Sequence, residues 1–305
     1  MAERRFLPIT HLAASLVALH HTGLQRGDDT GWPEIDKYLS IAPGQMTIVT
    51  GWPGSGKTEW MECLLVHLVR QHGWYTALYS PENWPLPAHA SRLLEKWLGA
   101  PFNAGPTPRL EADEIEPTLA QMADNIAILN DPHENAPNLW EIINLADDWF
   151  EANAGPKRAL VIDPWNEVDH ARPASQTETD YVSYALGAAR RWARAANVHL
   201  FIVAHPAKPR RENGNLPVAT PDLIAGSAHF WNKADNCVSV WRDPEDNHTL
   251  PQIHIQKVKY KHIGHRGIAD LQFDRATGRF LSPKRDSSGR AYVTSLHRVP
   301  ATESP

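Results

Sequence analysis

The chain has 305 residues, of which 42% are hydrophobic and 21% charged; that is enough apolar material for one large domain or two small ones and argues against wholesale disorder. A formal net charge of −5 excludes a protein coated in positive charge, so any contact with nucleic acid has to come from a local basic patch. No run approaches the ~18 apolar residues of a membrane span, and the opening MAERRFLPIT lacks a secretory apolar core. Cys63 and Cys237 stand far apart without CxxC spacing, which excludes a disulfide framework or a cysteine zinc site and suits a reducing cytosol.

Residues 1–26 carry one short amphipathic helix, expected around His11 to His20, before the polar stretch RGDDTG. Met46-Thr47-Ile48-Val49-Thr50 is a β-rich run followed by a glycine-rich turn. Glu59 to Gln71 then follows a helical period, with Trp60, Leu64, Leu65 and Leu68 on one stripe and Gly73 as its stop. Tyr75 to Ser80 reads as a second strand halted by Pro81, and Ser91 to Leu98 as a helix. Gly99 to Pro117, rich in Pro, Gly and acids, reads as an exposed loop.

A strand at Asn125 to Leu129, a helix at Leu139 to Ala152 and the apolar run ALVID ending at Asp163 come next. Tyr181, Ala185, Ala188, Trp192 and Ala195 mark a helix stripe, and His199 to Ala204 is a buried strand. Val238 to Trp241, Ile253 to Val258 and Ile268 to Phe273 complete the strands; the last two alternate as half-solvated antiparallel strands do. Strands alternating with helices imply an α/β fold with a mainly parallel sheet and antiparallel strands at one edge. The expected organisation is an N-terminal helix region at 1–26, one large α/β domain at 27–281 and a tail at 282–305.

Charge is unevenly distributed. Between Glu82 and Glu151 thirteen acids face three cations, whereas between Lys257 and Arg290 nine cations face three acids. This asymmetry fits an anionic ligand near the C-terminal part or head-to-tail subunit contacts, and fits equally well two solvated faces of different sign.

Gly51-Trp52-Pro53-Gly54-Ser55-Gly56-Lys57-Thr58 matches GxxxxGK[ST] between an expected strand and an expected helix, the context that distinguishes a P-loop from a chance glycine-rich turn. Gly51, Pro53, Gly54, Ser55 and Gly56 would wrap backbone N–H groups around phosphate oxygens at the positive end of a helix. Lys57 would reach the β- and γ-phosphates of ATP, and Thr58 would ligate Mg2+. Asp163, at the tip of a buried strand, fits a Walker B acid that holds Mg2+ through water better than an ordinary strand-end cap, given the P-loop.

Other residues are less decisive. Glu82 follows the strand Tyr75 to Ser80; if that strand neighbours the P-loop strand, its carboxylate faces the same crevice and could activate the attacking water. A surface turn acid explains it equally well. His205 leaves a buried strand where a γ-phosphate sensor would sit, although a satisfied strand-end histidine is the simpler account of its spacing. Lys208, Arg210 and Arg211 lie in a Pro- and Gly-containing loop that suits a phosphodiester backbone as well as it suits solvent.

Taken together, TGWPEIDKYLSIAPGQMTIVTGWPGSGKT, LYSPENW, VIDPW, IVAHP, DLIAGSAHFWNKADN and QKVKYKHIGHRG, in this order, resemble the RecA-like motor domain of the DnaB-type replicative helicases, a family that includes phage primase-helicases and the mitochondrial helicase Twinkle. The resemblance runs from about Thr30 to Phe280. It implies a P-loop ATPase that unwinds DNA and translocates on single-stranded DNA as a hexameric ring. Glu82 takes the place of the catalytic base, Asp163 of the Walker B acid and His205 of the γ-phosphate contact. The sequence departs from the family's K-x-R at Lys257-Val258-Lys259, where Lys259 stands for the residue inserted into the neighbour's ATP site, with Arg266 as the reserve.

No primase module or collar precedes the motor in these residues, so a separate primase or loader is an expected partner, or the chain is part of a longer primase-helicase. A cytoplasmic setting in a bacterial or phage-infected cell is expected, with no membrane partner. Two other functions fit the motifs less completely: a RecA-type recombinase or accessory DNA-stimulated ATPase, which the two lysines favour, and a nucleotide-dependent scaffold that binds no DNA.

Overall fold

Four of the five residues of MTIVT are β-branched. Side chains stiff at χ1 pack well on a pleated surface, and this segment becomes the central strand of a large sheet. The computed structural model describes residues 6–131, 135–153, 155–170, 172–173, 175–207, 216–224, 228–243, 250–285 and 291–292. In chain order the elements are α1 (Ala13–Thr22), α2 (Pro33–Asp36), β1 (Met46–Thr50), α3 (Lys57–His72), β2 (Tyr75–Tyr79), α4 (Leu86–Leu98), α5 (Ile115–Met122), β3 (Ile126–Ile128) and α6 (Leu139–Ala152). They continue with β4 (Arg158–Ile162), α7 (Glu178–Ala195), β5 (Val198–Val203), α8 (His229–Lys233), β6 (Asn236–Trp241), β7 (Gln252–Val258), β8 (Gly267–Asp270), β9 (Gln272–Asp274) and β10 (Arg279–Leu281).

Among the described residues the main sheet has the order β3-β2-β4-β5-β1-β6-β7-β8. The strands from β3 to β6 pair in parallel, and β7 and β8 add antiparallel at one edge. Alternation sorts each central strand onto two faces. Met46, Ile48, Leu160, Ile162, Leu200 and Ile202 pack with α6 and α7. Val49, Val161, Phe201 and Val203 pack with Trp60, Leu64 and Leu68 of α3. This double covering is what a buried parallel sheet requires.

The expected strand Ile268 to Phe273 is split at Leu271 into β8, on the main sheet, and β9, which pairs with β10 instead, and three further expectations change. The stretch expected as a loop at Gly99 to Pro117 holds the start of α5 and a buried Leu110; a capping box between Glu111 and Glu114 nucleates a turn there despite the prolines. Helix α4 begins at Leu86 rather than Ser91, with proline in its first turn where no N–H partner is needed. On α7 the buried residues are Val182, Ala185, Leu186, Ala189 and Ala193. The stripe drawn through Tyr181, Ala188, Trp192 and Ala195 is therefore turned slightly away from the sheet, because small alanines let the helix approach closely and leave the large rings at the margin.

Two ionic clusters are built into this frame. At the start of β1, the buried Asp235 carboxylate accepts from the Met46 N–H at 3.2 Å and from Arg190, with Arg194 at 3.4 Å and Lys259 at 3.5 Å. Beneath α3, Glu62 is 3% exposed and meets His89 at 3.1 Å, Lys96 at 2.8 Å and Arg92 at 3.3 Å. Burial alone would raise the Glu62 pKa. The close contacts with His89, Lys96 and Arg92 outweigh it and bring the value down to about 2.

A carboxylate whose folded pKa lies below its ordinary value of 4.5 stabilises the fold fully above about that pH, and loses this contribution as the pH falls toward 2. Glu62→Gln is therefore expected to lower the melting temperature at pH 7 and to flatten its fall between pH 4.5 and 2; scanning calorimetry across that range checks both.

Candidate nucleotide site

The chain leaves β1 at Thr50 and turns at Gly51, whose φ is +151°. A Cβ there would lie 2.3 Å from the Val240 carbonyl oxygen, so only glycine lets the loop hug the end of β6. Pro53 and Gly54 form the exposed tip. Gly56, at φ +91°, caps α3 with the Phe280 ring 3.1 Å from where its Cβ would be. The β9–β10 hairpin thus supports the loop from below.

Lys57 opens α3 and is 6% exposed. Its ammonium donates to the carbonyl oxygens of Gly51 at 2.9 Å and Trp52 at 3.3 Å. Burial lowers its pKa, and the charges of Asp163 and Glu82 pull it back up. The Thr58 hydroxyl stands beside the Asp163 carboxyl, whose pKa burial pushes up to about 6, against the pull of Thr58 and Lys57. The Ser55 hydroxyl is buried with no partner among the described residues. A half-desolvated ammonium, an unpartnered hydroxyl and a loop of turned-in backbone at a helix N-terminus fit a polyphosphate, and the Thr58–Asp163 pair has the hard oxygen chemistry that Mg2+ takes.

The condition set for Glu82 is not met: β2 is separated from β1 by β4 and β5. The residue still reaches the same crevice. The turn after β2 brings its carboxylate within 4.0 Å of His205 Nε2, and its charge acts on both Lys57 and Asp163. His205 follows β5, the direct neighbour of β1. Burial and the Lys57 charge lower its pKa, with Glu167 opposing; its Nδ1 is buried without a partner among the described residues. The His205 N–H lies 3.4 Å from Asn166 Oδ1. Asn166 was not singled out from the sequence, although its place three residues after Asp163 in DPWN is a usable signal.

The remaining candidates lie elsewhere. Lys208, Arg210 and Arg211 lie outside the described residues. Lys259 sits beyond the end of β7, beside Asp235 at the start of β1. Five residues of β1 separate that point from the P-loop, roughly 17 Å at strand rise, so Lys259 has no part in its own chain's phosphate site. Arg266 is exposed on the same β7–β8 connection.

Sheet order and site together define a RecA-like P-loop fold, the architecture of the ATPase domains of DnaB-like helicases. One solved ATPase domain superposes with a TM-score of 0.74 at 16% identity, over 91% of this chain and 99% of that one. A DnaB-like replicative helicase, described with its interactions with primase, gives 0.72 at 15%, over 92% and 68%. Over an alignment of 271 positions that covers 85% of its length, the chain is 36% identical to the chloroplastic/mitochondrial Twinkle homolog protein of Arabidopsis thaliana. It spans 37% of that relative's length. No family model matches the chain. Sequence and fold thus carry the same resemblance, to the DnaB-type helicase motor.

Lys57→Ala removes the counter-charge at the centre of the loop. With a charge-assisted hydrogen bond worth about 1.5–3 kcal/mol, nucleotide affinity is expected to fall roughly 10- to 100-fold, measured by titration with a fluorescent ATP analogue.

Proposed function

We propose that this chain is the motor of an ATP-driven DNA helicase that translocates on single-stranded DNA as a ring, hexameric by its resemblance. What carries the proposal is the convergence of Lys57, Thr58, Asp163, Glu82 and His205 at the carboxyl edge of a sheet with this strand order. Residues 27–281 make up the motor. The region before it contributes α1, none of whose residues is buried although Leu16, Val17 and Leu19 are apolar.

In this reading the P-loop amides and Lys57 hold the β- and γ-phosphates of ATP. Thr58 and Asp163 would hold Mg2+, which neutralises charge on the phosphates when bound. Glu82 takes a proton from the attacking water. His205 donates to a γ-phosphate oxygen and reports the loss of that phosphate. Lys208, Arg210 and Arg211 contact DNA phosphates, and six such loops converging in a channel let an acidic protein hold DNA. The acid-rich segment, with α4 to α6, lies toward the β3 end of the sheet, and Lys257, Lys259, Lys261 and Arg266, on β7 and the β7–β8 connection, lie toward the β8 end, which supports head-to-tail packing around a ring.

A primase or loader is the further proposed partner, supported by the DnaB-like neighbour described with its interactions with primase. No helix among the described residues is long and apolar enough to cross a membrane. Both cysteines are buried and free, in keeping with the proposed cytoplasm of a bacterial or phage-infected cell.

Hydrolysis should rise strongly on adding single-stranded DNA, and a forked duplex should be unwound. Absence of stimulation would favour a scaffold, and stimulation without unwinding a recombinase. Neutralising Lys208, Arg210 and Arg211 together should lower the slope of log affinity against log salt by about 2, since each phosphate neutralised on a single strand contributes ~0.7.

Lys259 is the proposed trans cation. Its pairing with Asp235 is dispensable to the fold, since Arg190 remains on that carboxylate. A cation supplied from a neighbour is worth about 10³–10⁵ in rate in related NTPases, and lysine lacks the guanidinium fork. Glu82→Gln and Lys259→Ala should each bind ATP without turning it over normally, and mixing the two proteins should return part of the activity. Normal turnover by Lys259→Ala alone would transfer the role to Arg266.

A further inference from the structure

Glu82 has little to hold its own side chain: 54% of it is exposed, and the titratable group beside it, His205 Nε2, is 4.0 Å away. Its position therefore depends on the turn that carries it. That turn is closed by the Asn83 N–H, which donates to the Ser80 carbonyl at 3.1 Å, and by Asn83 Nδ2, which donates to Ser80 Oγ at 2.7 Å. The free end of the Asn83 amide, Oδ1, accepts from Arg92 Nη1 at 2.5 Å.

Arg92 sits on the second turn of α4 and is half-buried. Its other prong, Nη2, donates to Glu59 Oε1 at 2.9 Å and lies 3.3 Å from Glu62 Oε2. Glu59 stands two residues after Lys57, in the first turn of α3. One guanidinium thus spans from the helix that presents the phosphate-binding lysine to the turn that presents Glu82. Charge balance does not explain the choice of arginine. Glu59 and Glu62 already meet the Lys96 ammonium, and a second lysine would complete the neutralisation. Only a planar fork with donors on two sides can serve the carboxylates and Asn83 at once.

We propose that Arg92 is a positioning residue for ATP hydrolysis, which through Asn83 fixes the Glu82 turn against the first turn of the P-loop helix. The proposal rests on Glu82 being the base. The tie makes the separation of base and phosphate a property of two packed helices rather than of a surface turn. A misplacement of the order of 1 Å costs about 100-fold in rate.

The test uses the full chain with Asn83→Ala, Arg92→Lys, Arg92→Gln and Glu82→Gln, reading kcat, KM for ATP, melting temperature, and affinity for MgADP with and without aluminium fluoride. Asn83→Ala and Arg92→Lys are expected to lose about 10- to 100-fold in kcat. Their KM should stay within about twofold and MgADP should bind as before, while the tighter binding of the aluminium fluoride complex, which mimics the transferring phosphoryl group, is lost. Arg92→Lys should keep a near-native melting temperature, because the lysine still neutralises Glu59 and Glu62. Arg92→Gln should lose both stability and turnover. A merely structural arginine gives the reverse pattern: Asn83→Ala and Arg92→Lys with native kcat and native aluminium fluoride binding while Glu82→Gln is inactive, which overturns the proposal and leaves Glu82 as the base. Native turnover in Glu82→Gln overturns both.

Discussion

A lysine ammonium withdrawn from water at the end of a buried parallel strand is the constraint around which this molecule is arranged. Lys57 keeps its charge because two carbonyl oxygens accept from it and because Asp163 and Glu82 offset part of the desolvation. Those acids come from strands that do not touch β1. The sheet has to be parallel and covered on both faces, so that the carboxyl ends of β2, β4, β5 and β1 open on one crevice. Loop and helix capping, the glycine at position 51 and the hairpin under Gly56 all serve the same loop.

Charge is used in three different ways around this centre. In the crevice, Asp163 is destabilised as an anion and Lys57 as a cation, so the site gains from a ligand that brings phosphate and metal charges of its own. Beneath α3, the Glu59, Glu62, Arg92 and Lys96 groups neutralise one another, Glu62 and Lys96 fully buried and Glu59 and Arg92 half-buried; such a network ties the two helices together. At the far edge, a single buried Asp235 gathers Arg190, Arg194 and Lys259, leaving positive charge in excess where a neighbouring molecule could use it.

The motor reading joins these three zones. An ATPase that moves on a polymer has to hold nucleotide, pass the state of its γ-phosphate to mobile parts and offer a cation to the next subunit. The crevice, the Arg92 tie and the Asp235 edge lie on one continuous sheet and its helices, so each is within a few packed side chains of the others.

Much of this was legible in the residues alone. The P-loop is a contiguous motif whose chemistry depends on glycine, lysine and threonine at fixed spacing, and β1, α3, α6 and β4 are strongly patterned, because period and burial coincide there. The face of α7 and the start of α5 were not, since small alanines and a capping box shift helices without changing the apolar count. Glu82 looked adjacent to the P-loop only if β2 bordered β1, and sequence does not record strand order. Lys259 could be read as a cation but not as the partner of Asp235, 24 positions earlier. Arg92 and Asn83 gave no motif at all. The chain by itself determined which groups could bind phosphate. The tertiary structure decided which carboxylates and guanidinium stand beside them, because those contacts join residues brought together only when the sheet closes and α3 and α4 pack.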